Sequence, residues 1–74
     1  MSAMRFEVEP DEDVRAELDR THLNVNGMVN EALKYLNDPH VDDIALARMF
    51  IERGCSEPLA YWMVREAEVR HAPR

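Results

Sequence analysis

The chain has 74 residues, a formal net charge of −6 and a single cysteine. A domain of this size buries only about 60% of the surface that its unfolded chain exposes, so a disulfide, a metal or a second subunit usually adds stability. One cysteine excludes an internal disulfide, and the three histidines are too far apart in sequence for a metal site. We therefore expect no metal and no cofactor, and we predict a homodimer.

The charge and the apolar pattern also bear on partners and location. A net negative charge opposes binding to nucleic-acid phosphates by the molecule as a whole. The first residues lack the basic and apolar stretches of a secretory signal, and no apolar run reaches the length of a membrane span. We expect a cytoplasmic protein that does not contact a membrane.

Residues 4–9 alternate between apolar and charged side chains, which is the period of a strand with one buried face. The apolar set is Met4, Phe6 and Val8, and the charged set is Arg5, Glu7 and Glu9. Because the chain supplies no second strand, the unpaired backbone groups predict pairing with the same strand of another copy. The expected fold class is mainly α, with one N-terminal strand that forms an antiparallel two-stranded ribbon between two chains.

Two helices are predicted after the strand. Pro10 interrupts the alternation, and the acidic residues from Asp11 onward favour a helix that begins near Asp11. Asn26 is the predicted N-cap of a second, amphipathic helix. The strand and the two helices predict a dimer core of Phe6, Val8, Val14, Leu18, Met28, Val29, Ala32, Leu33 and Leu36.

The second half of the chain predicts two further helices. The third covers residues 41–53, with Asp38 as its cap and Pro39 at its first position, and ends at Gly54 in a left-handed conformation. The fourth begins at residues 56–58. Large side chains of the type that dominates protein interfaces predict a partner-binding surface, with a helical core as the alternative interpretation. They are Phe50, Leu59, Tyr61, Trp62 and Met63.

No catalytic pattern is found in the sequence, which contains no catalytic triad spacing, no glycine-rich phosphate loop and no HExxH motif. Cys55 follows a predicted helix C-terminus, where the dipole disfavours a thiolate. The acidic pairs at residues 42–43 and at Glu66 with Glu68 are typical of solvated helix faces. We therefore expect a protein that is not an enzyme.

The order of strand, acidic helix start, asparagine-containing turn and amphipathic helix resembles the ribbon-helix-helix family of bacterial and phage repressors. The segment of residues 23–33, LNVNGMVNEAL, is most similar to the start of the second helix in CcdA-type antitoxins. Residues 46–54, LARMFIERG, are similar to the toxin-binding arm of those antitoxins. The resemblance covers nearly half the chain and implies a dimerisation and DNA-binding unit over residues 1–37 and a protein-interaction segment over residues 38–74.

The resemblance also implies roles for individual residues. The outward side of the ribbon would read base edges in operator DNA with Arg5, Glu7 and Glu9, and the start of the second helix would hold a phosphate with Asn24, Asn26 and Gly27. The implied function is a dimeric antitoxin-type transcriptional regulator that binds DNA through the first unit and a toxin through the second.

Two alternatives stay open. Glu7 and Glu9 replace the polar or basic residues expected of base readers and weaken attraction to phosphate, which favours a purely protein-binding inhibitor module on the same scaffold. Residues 44–67 also fit a helix-turn-helix, although an outward face with Glu57, Tyr61, Trp62 and Glu66 suits DNA poorly.

Overall fold

A computed structural model describes residues 6–72, and within this range the chain forms four α-helices and one short 3-10 turn. The helices are α1 (Glu12–Arg20), α2 (Val25–Ala32), α3 (Asp43–Glu52) and α4 (Glu57–His71). The 3-10 turn, Tyr35–Asn37, follows α2. The connections before α2 and α4 are short, and the longer connection before α3 contains the 3-10 turn.

Three of the predicted helix boundaries are confirmed. The Asp11 side chain caps α1 by accepting a hydrogen bond from the Val14 N–H at 2.9 Å. The Ser56 hydroxyl caps α4 by accepting one from the Leu59 N–H at 3.3 Å. Gly54 has φ of 110°, so the turn between α3 and α4 uses the left-handed conformation that favours glycine.

Two predicted helix starts are wrong. Asn24, and not Asn26, is the N-cap of α2, because its side-chain oxygen accepts a hydrogen bond from the Gly27 N–H at 3.0 Å. The start of α3 is capped by Asp42 and not by Asp38, which instead closes the 3-10 turn through its N–H. In both places several Asn or Asp residues compete for the cap within a few positions, and sequence alone does not rank them.

Helix α4 lies at the centre of the fold and packs against α1, α2 and α3. Seven of its residues are buried, on more than one side of the helix: Leu59, Ala60, Trp62, Met63, Val64, Glu66 and Ala67. The remaining core side chains come from α1, α2, α3 and the α3–α4 turn. Residues of both predicted units therefore share one hydrophobic core.

The predicted N-terminal strand is wrong for the described residues, since residues 6–72 contain no strand. The N–H groups of Glu7 and Val8 both donate to the Glu66 carboxylate, at 2.9 and 2.8 Å. Consecutive N–H groups of a strand point in opposite directions, so two neighbours bound to one carboxylate require a bent backbone. Side chains of α4 thus bind the backbone N–H and C=O groups that were expected to pair with a second strand. No ribbon is formed from residues 6–9. Residues 4 and 5 lie outside the described part.

The residues predicted as a dimer core pack within one chain. Val14, Met28, Val29 and Ala32 are buried in the core, while Phe6, Val8, Leu18, Leu33 and Leu36 are partly buried against it. The predicted pairing of two chains through a ribbon depended on an unpaired N-terminal strand, and residues 6–72 contain no strand. A homodimer stays a prediction without this support.

Candidate interaction surface

Residues 6–10 form a short segment, here called the N-terminal strap, that lies on α4. The Glu66 carboxylate holds the strap through the two backbone N–H groups of Glu7 and Val8. Its third donor is Arg70, whose Nε lies 2.8 Å away on the next turn of α4. Glu66 is 0% exposed, so this carboxylate is a buried charge with three hydrogen-bond donors.

Trp62 and Arg70 complete the hold on the strap. The Trp62 indole N–H donates to the Val8 carbonyl at 3.0 Å. The Phe6 ring packs edge-to-face on Trp62, with centroids 4.7 Å apart and an interplanar angle of 83°. The Arg70 guanidinium lies 5.9 Å from the Phe6 ring centroid and also donates to the Asn30 side chain at 2.9 Å. The strap is therefore fixed by backbone and side-chain contacts together.

The environment of Glu66 sets its ionisation. Burial pushes the pKa of the Glu66 carboxyl upward, but the hydrogen bonds from the Glu7 and Val8 N–H groups and from Arg70 outweigh burial. The net result is a pKa below the usual range for glutamate. The carboxylate is thus held in its charged form, which is the form that accepts all three hydrogen bonds.

An open groove of about 660 Å³ runs between the strap and α1, and we call it the α1 groove. Its apolar lining consists of Phe6, Pro10 and Leu18, and its charged lining consists of Glu7, Glu9, Arg15 and Asp19. Arg15 and Glu9 approach each other at 3.7 Å across the opening, with both side chains mostly exposed. The groove therefore combines an apolar floor with a predominantly acidic rim.

A second, smaller groove of about 290 Å³ lies on the other side of the strap, against α4. Its lining includes Val8, Pro58, Tyr61, Trp62 and Arg65. Glu9 lines both grooves. Tyr61 is 46% exposed there. Tyrosine at such a position presents a large, rigid contact area with a polar end.

Helix α3 exposes two further apolar side chains, Ile44 and Ile51, which lie two turns apart on one side of the helix. Arg48 is exposed between them. The C-terminal end of α3 is tied to α2, because Arg53 donates two hydrogen bonds to the Glu31 carboxylate at 3.0 and 3.2 Å.

The predicted DNA-reading residues are not arranged on a ribbon. Glu7 and Glu9 are exposed on the strap, and Arg5 lies outside the described residues. At the predicted phosphate anchor, the Gly27 N–H is already bound by the Asn24 side chain, while Asn26 is exposed. A Cβ at position 27 would lie 2.6 Å from the Asn24 amide nitrogen, so glycine allows this cap to close.

Four of the five predicted partner-binding residues fill the core. Phe50, Leu59, Trp62 and Met63 are buried, and Tyr61 is the exposed member of the set. For these four side chains, the alternative interpretation as a helical core is therefore confirmed. Trp62 and Glu66 also do not point outward as the helix-turn-helix alternative requires, since both are buried.

Sequence reasoning missed Glu66 and Arg70, two of the residues that hold the strap. Glu66 was expected on a solvated face with Glu68, but only Glu68 is exposed. The available signal was the spacing of four residues between Glu66 and Arg70, which favours an ion pair on a helix. That spacing does not reveal burial, and it does not reveal the strap as a third participant.

Cys55 is buried, with its Sγ 3.7 Å from the Met63 Sδ. Burial raises the pKa of its thiol, and the nearby Glu17 charge acts in the same direction. Both effects keep the thiol protonated, and the side chain contributes to packing beside Met63.

Comparisons of the chain with protein-family models, curated proteins and solved structures found no match. The resemblance to ribbon-helix-helix antitoxins therefore stays a prediction for the family, and its ribbon is not formed by residues 6–9. Within residues 6–72, no helix combines the length and the apolar character needed to cross a bilayer. The same residues contain no cluster of three potential metal-ligating side chains.

Proposed function

We propose that this protein is a small, non-enzymatic regulatory module that binds a positively charged region of another protein. The observation that carries the proposal is the uneven distribution of charge. Residues 6–20 hold seven acidic residues and two arginines, a net charge of −5 within a chain whose total is −6. The strap and α1 therefore carry most of the net negative charge of the chain.

The exposure of these acids supports a role at the surface. Glu9, Asp11, Glu12, Asp13 and Asp19 are all exposed. Complementary charge accelerates association with a basic partner and disfavours wrong partners. The same field repels nucleic-acid phosphates, which supply most of the affinity in DNA binding. A protein partner is thus favoured over operator DNA.

The grooves on both sides of the strap support a protein partner further. Each places apolar side chains beside charged ones, and Tyr61 adds an exposed aromatic ring. Binding surfaces for proteins typically combine an apolar centre with a polar rim. The apolar side chains of Phe6, Val8 and Leu18 already pack against the core, which lowers the ordering cost of binding a partner at these positions.

The test is selection from a random peptide library on the immobilised full chain, with a parallel titration of a fluorescent mixed-sequence DNA duplex at low ionic strength. The expected result is enrichment of peptides with net positive charge, whose binding weakens as salt is added. The duplex is expected not to bind. Enrichment of neutral or acidic peptides, no enrichment over a blank surface, or tighter binding of the duplex than of any selected peptide contradicts the proposal.

A further inference from the structure

The α1 groove is a concave surface between the strap and α1. Its floor is apolar because it consists of the side chains of Phe6, Pro10 and Leu18, which are each only partly buried. Partly buried apolar side chains in a concavity gain from a ligand that removes their remaining area from water, at about 25 cal/mol per Å². The volume of about 660 Å³ lies within the usual range for ligand pockets.

Both walls of the α1 groove are fixed. On one side, Trp62 and the Glu66 carboxylate immobilise the strap, as described above. On the other side, α1 is tied to the start of α4, where the Ser56 N–H donates to the Glu17 carboxylate at 3.1 Å. The Ser56 hydroxyl also bonds to Glu17. A groove with fixed walls requires little reorganisation when it binds a ligand.

The rim of the groove selects the charge of that ligand. Asp19 is exposed near the C-terminal end of α1, and Glu9 is exposed on the strap. The Arg15–Glu9 approach of 3.7 Å joins two side chains that are 61% and 89% exposed, so it is weak and easily replaced. Arg15 is the only cation lining the groove among the described residues.

We propose that the α1 groove binds a short segment of a partner protein in which an aliphatic side chain is flanked by lysine or arginine. The aliphatic side chain packs on Phe6 and Leu18, one cation pairs with Asp19, and a second replaces Arg15 beside Glu9. This inference rests on the proposed function and names its site and its ligand. A second copy of this chain does not fit the site through its own α1, because the acidic residues of the two copies would repel each other.

The probe is a short synthetic peptide of alternating leucine and lysine, titrated into the isotope-labelled full chain and followed by amide chemical shifts. We expect the largest shifts at residues 6, 9, 18 and 19, which line the groove and carry a backbone N–H. Two control peptides alternate leucine with glutamate, and serine with lysine. We expect both to bind at least about tenfold more weakly, since one lacks the cations and the other lacks the apolar side chains.

A matched pair of variants separates the groove from general charge. Asp19→Lys and Glu52→Lys make the same change in charge, each at an exposed position in the last turn of a helix, where lysine is favourable. Glu52 lies on α3, outside the groove. We expect Asp19→Lys to weaken the leucine-lysine peptide about tenfold and Glu52→Lys to weaken it less than about twofold. Circular dichroism and Trp62 fluorescence confirm that both variants fold.

Several outcomes overturn the inference. Equal weakening by the two variants means that the peptide responds to overall charge, and shifts centred on Ile44 and Ile51 mean that it binds α3. If serine-lysine peptides bind as well as leucine-lysine peptides, the apolar floor of the groove does not contribute to binding. In each of these cases basic peptides selected from the library still support the proposed function. If no leucine-lysine binding is detected at all, the groove does not have the stated ligand.

Discussion

Two of the glutamate–arginine pairs among the described residues have nearly the same N–O distance and very different surroundings. Glu66 and Arg70 approach at 2.8 Å within α4, with side chains 0% and 16% exposed. Glu31 and Arg53 approach at 3.0 Å between α2 and the end of α3, with side chains 43% and 40% exposed. Distance alone would rank the two pairs as equals.

Burial is what separates the two pairs. Glu66 is shielded from water, so its hydrogen bonds to Arg70 and to the strap must replace hydration. Removing the carboxylate leaves these buried donors without an acceptor. Glu31 and Arg53 stay in contact with water, which weakens their attraction and takes over their hydrogen bonds when the pair opens. The comparison teaches that the contribution of an ion pair to stability depends on its burial and on its other hydrogen bonds. Of these two carboxylates, only Glu66 also accepts hydrogen bonds from the backbone of the strap.

The largest expected effect is that of Glu66→Ala, which removes the acceptor of three hydrogen bonds. The N–H groups of residues 7 and 8 and the Arg70 guanidinium lose their buried partner, so we expect the free energy of unfolding to fall by about 3 kcal/mol. Urea denaturation followed by the fluorescence of Trp62, the single tryptophan, measures the change.

The matched control is Glu68→Ala, which removes an exposed glutamate from the same helix. We expect it to leave the urea midpoint almost unchanged. If Glu66→Ala and Glu68→Ala shift the midpoint equally, the buried carboxylate does not stabilise the fold and the contrast between the two ion pairs fails.

A smaller effect is expected from acid, through the same carboxyl. Its pKa is lowered in the folded protein, so its contribution to the free energy of unfolding is complete above the ordinary pKa of a glutamate carboxyl. The contribution is lost as pH falls through the lowered pKa of the folded state. Urea midpoints of the wild type and of Glu66→Gln should therefore converge as pH decreases below the ordinary value. A gap that stays constant or widens in acid would show that ionised Glu66 is not the stabilising form.

The N-terminal segment shows how far sequence reasoning reaches. The alternation of residues 6–9 correctly predicts which side chains face the core, since Phe6 and Val8 are partly buried and Glu7 and Glu9 are exposed. It does not establish a strand, because an extended segment that lies on a core without pairing its backbone in a sheet produces the same pattern. The acceptor of the Glu7 and Val8 N–H groups lies 59 and 58 residues further along the chain. No local pattern connects positions so far apart.

The helices were more accessible to prediction because their signals are local. Asp11, Gly54 and Ser56 each act within a few residues of their own position, through a cap or a positive φ. The candidate interaction surface was harder to predict from the sequence. Tyr61 and Trp62 are neighbours of similar type, and the direction of packing makes the first 46% exposed and the second 6% exposed. That direction depends on how α4 sits among three other helices, which sequence periodicity does not specify when a helix is buried on several sides.

The smallest expected effect concerns the exposed pair, and it sharpens the comparison most directly. The hydrogen bond and charge of Arg53 lower the pKa of the Glu31 carboxyl, so the two groups do interact in the folded protein. Single substitutions overstate that interaction, since Arg53 also lies at the C-terminal end of α3, where a cation is favourable by itself. A double-mutant cycle with Glu31→Gln and Arg53→Gln removes this contribution. We expect a small coupling between the two residues that decreases further as salt is added, because both side chains are accessible to ions. A coupling that is large and insensitive to salt would place the Glu31–Arg53 pair in the same class as Glu66, and burial would no longer explain the difference between them.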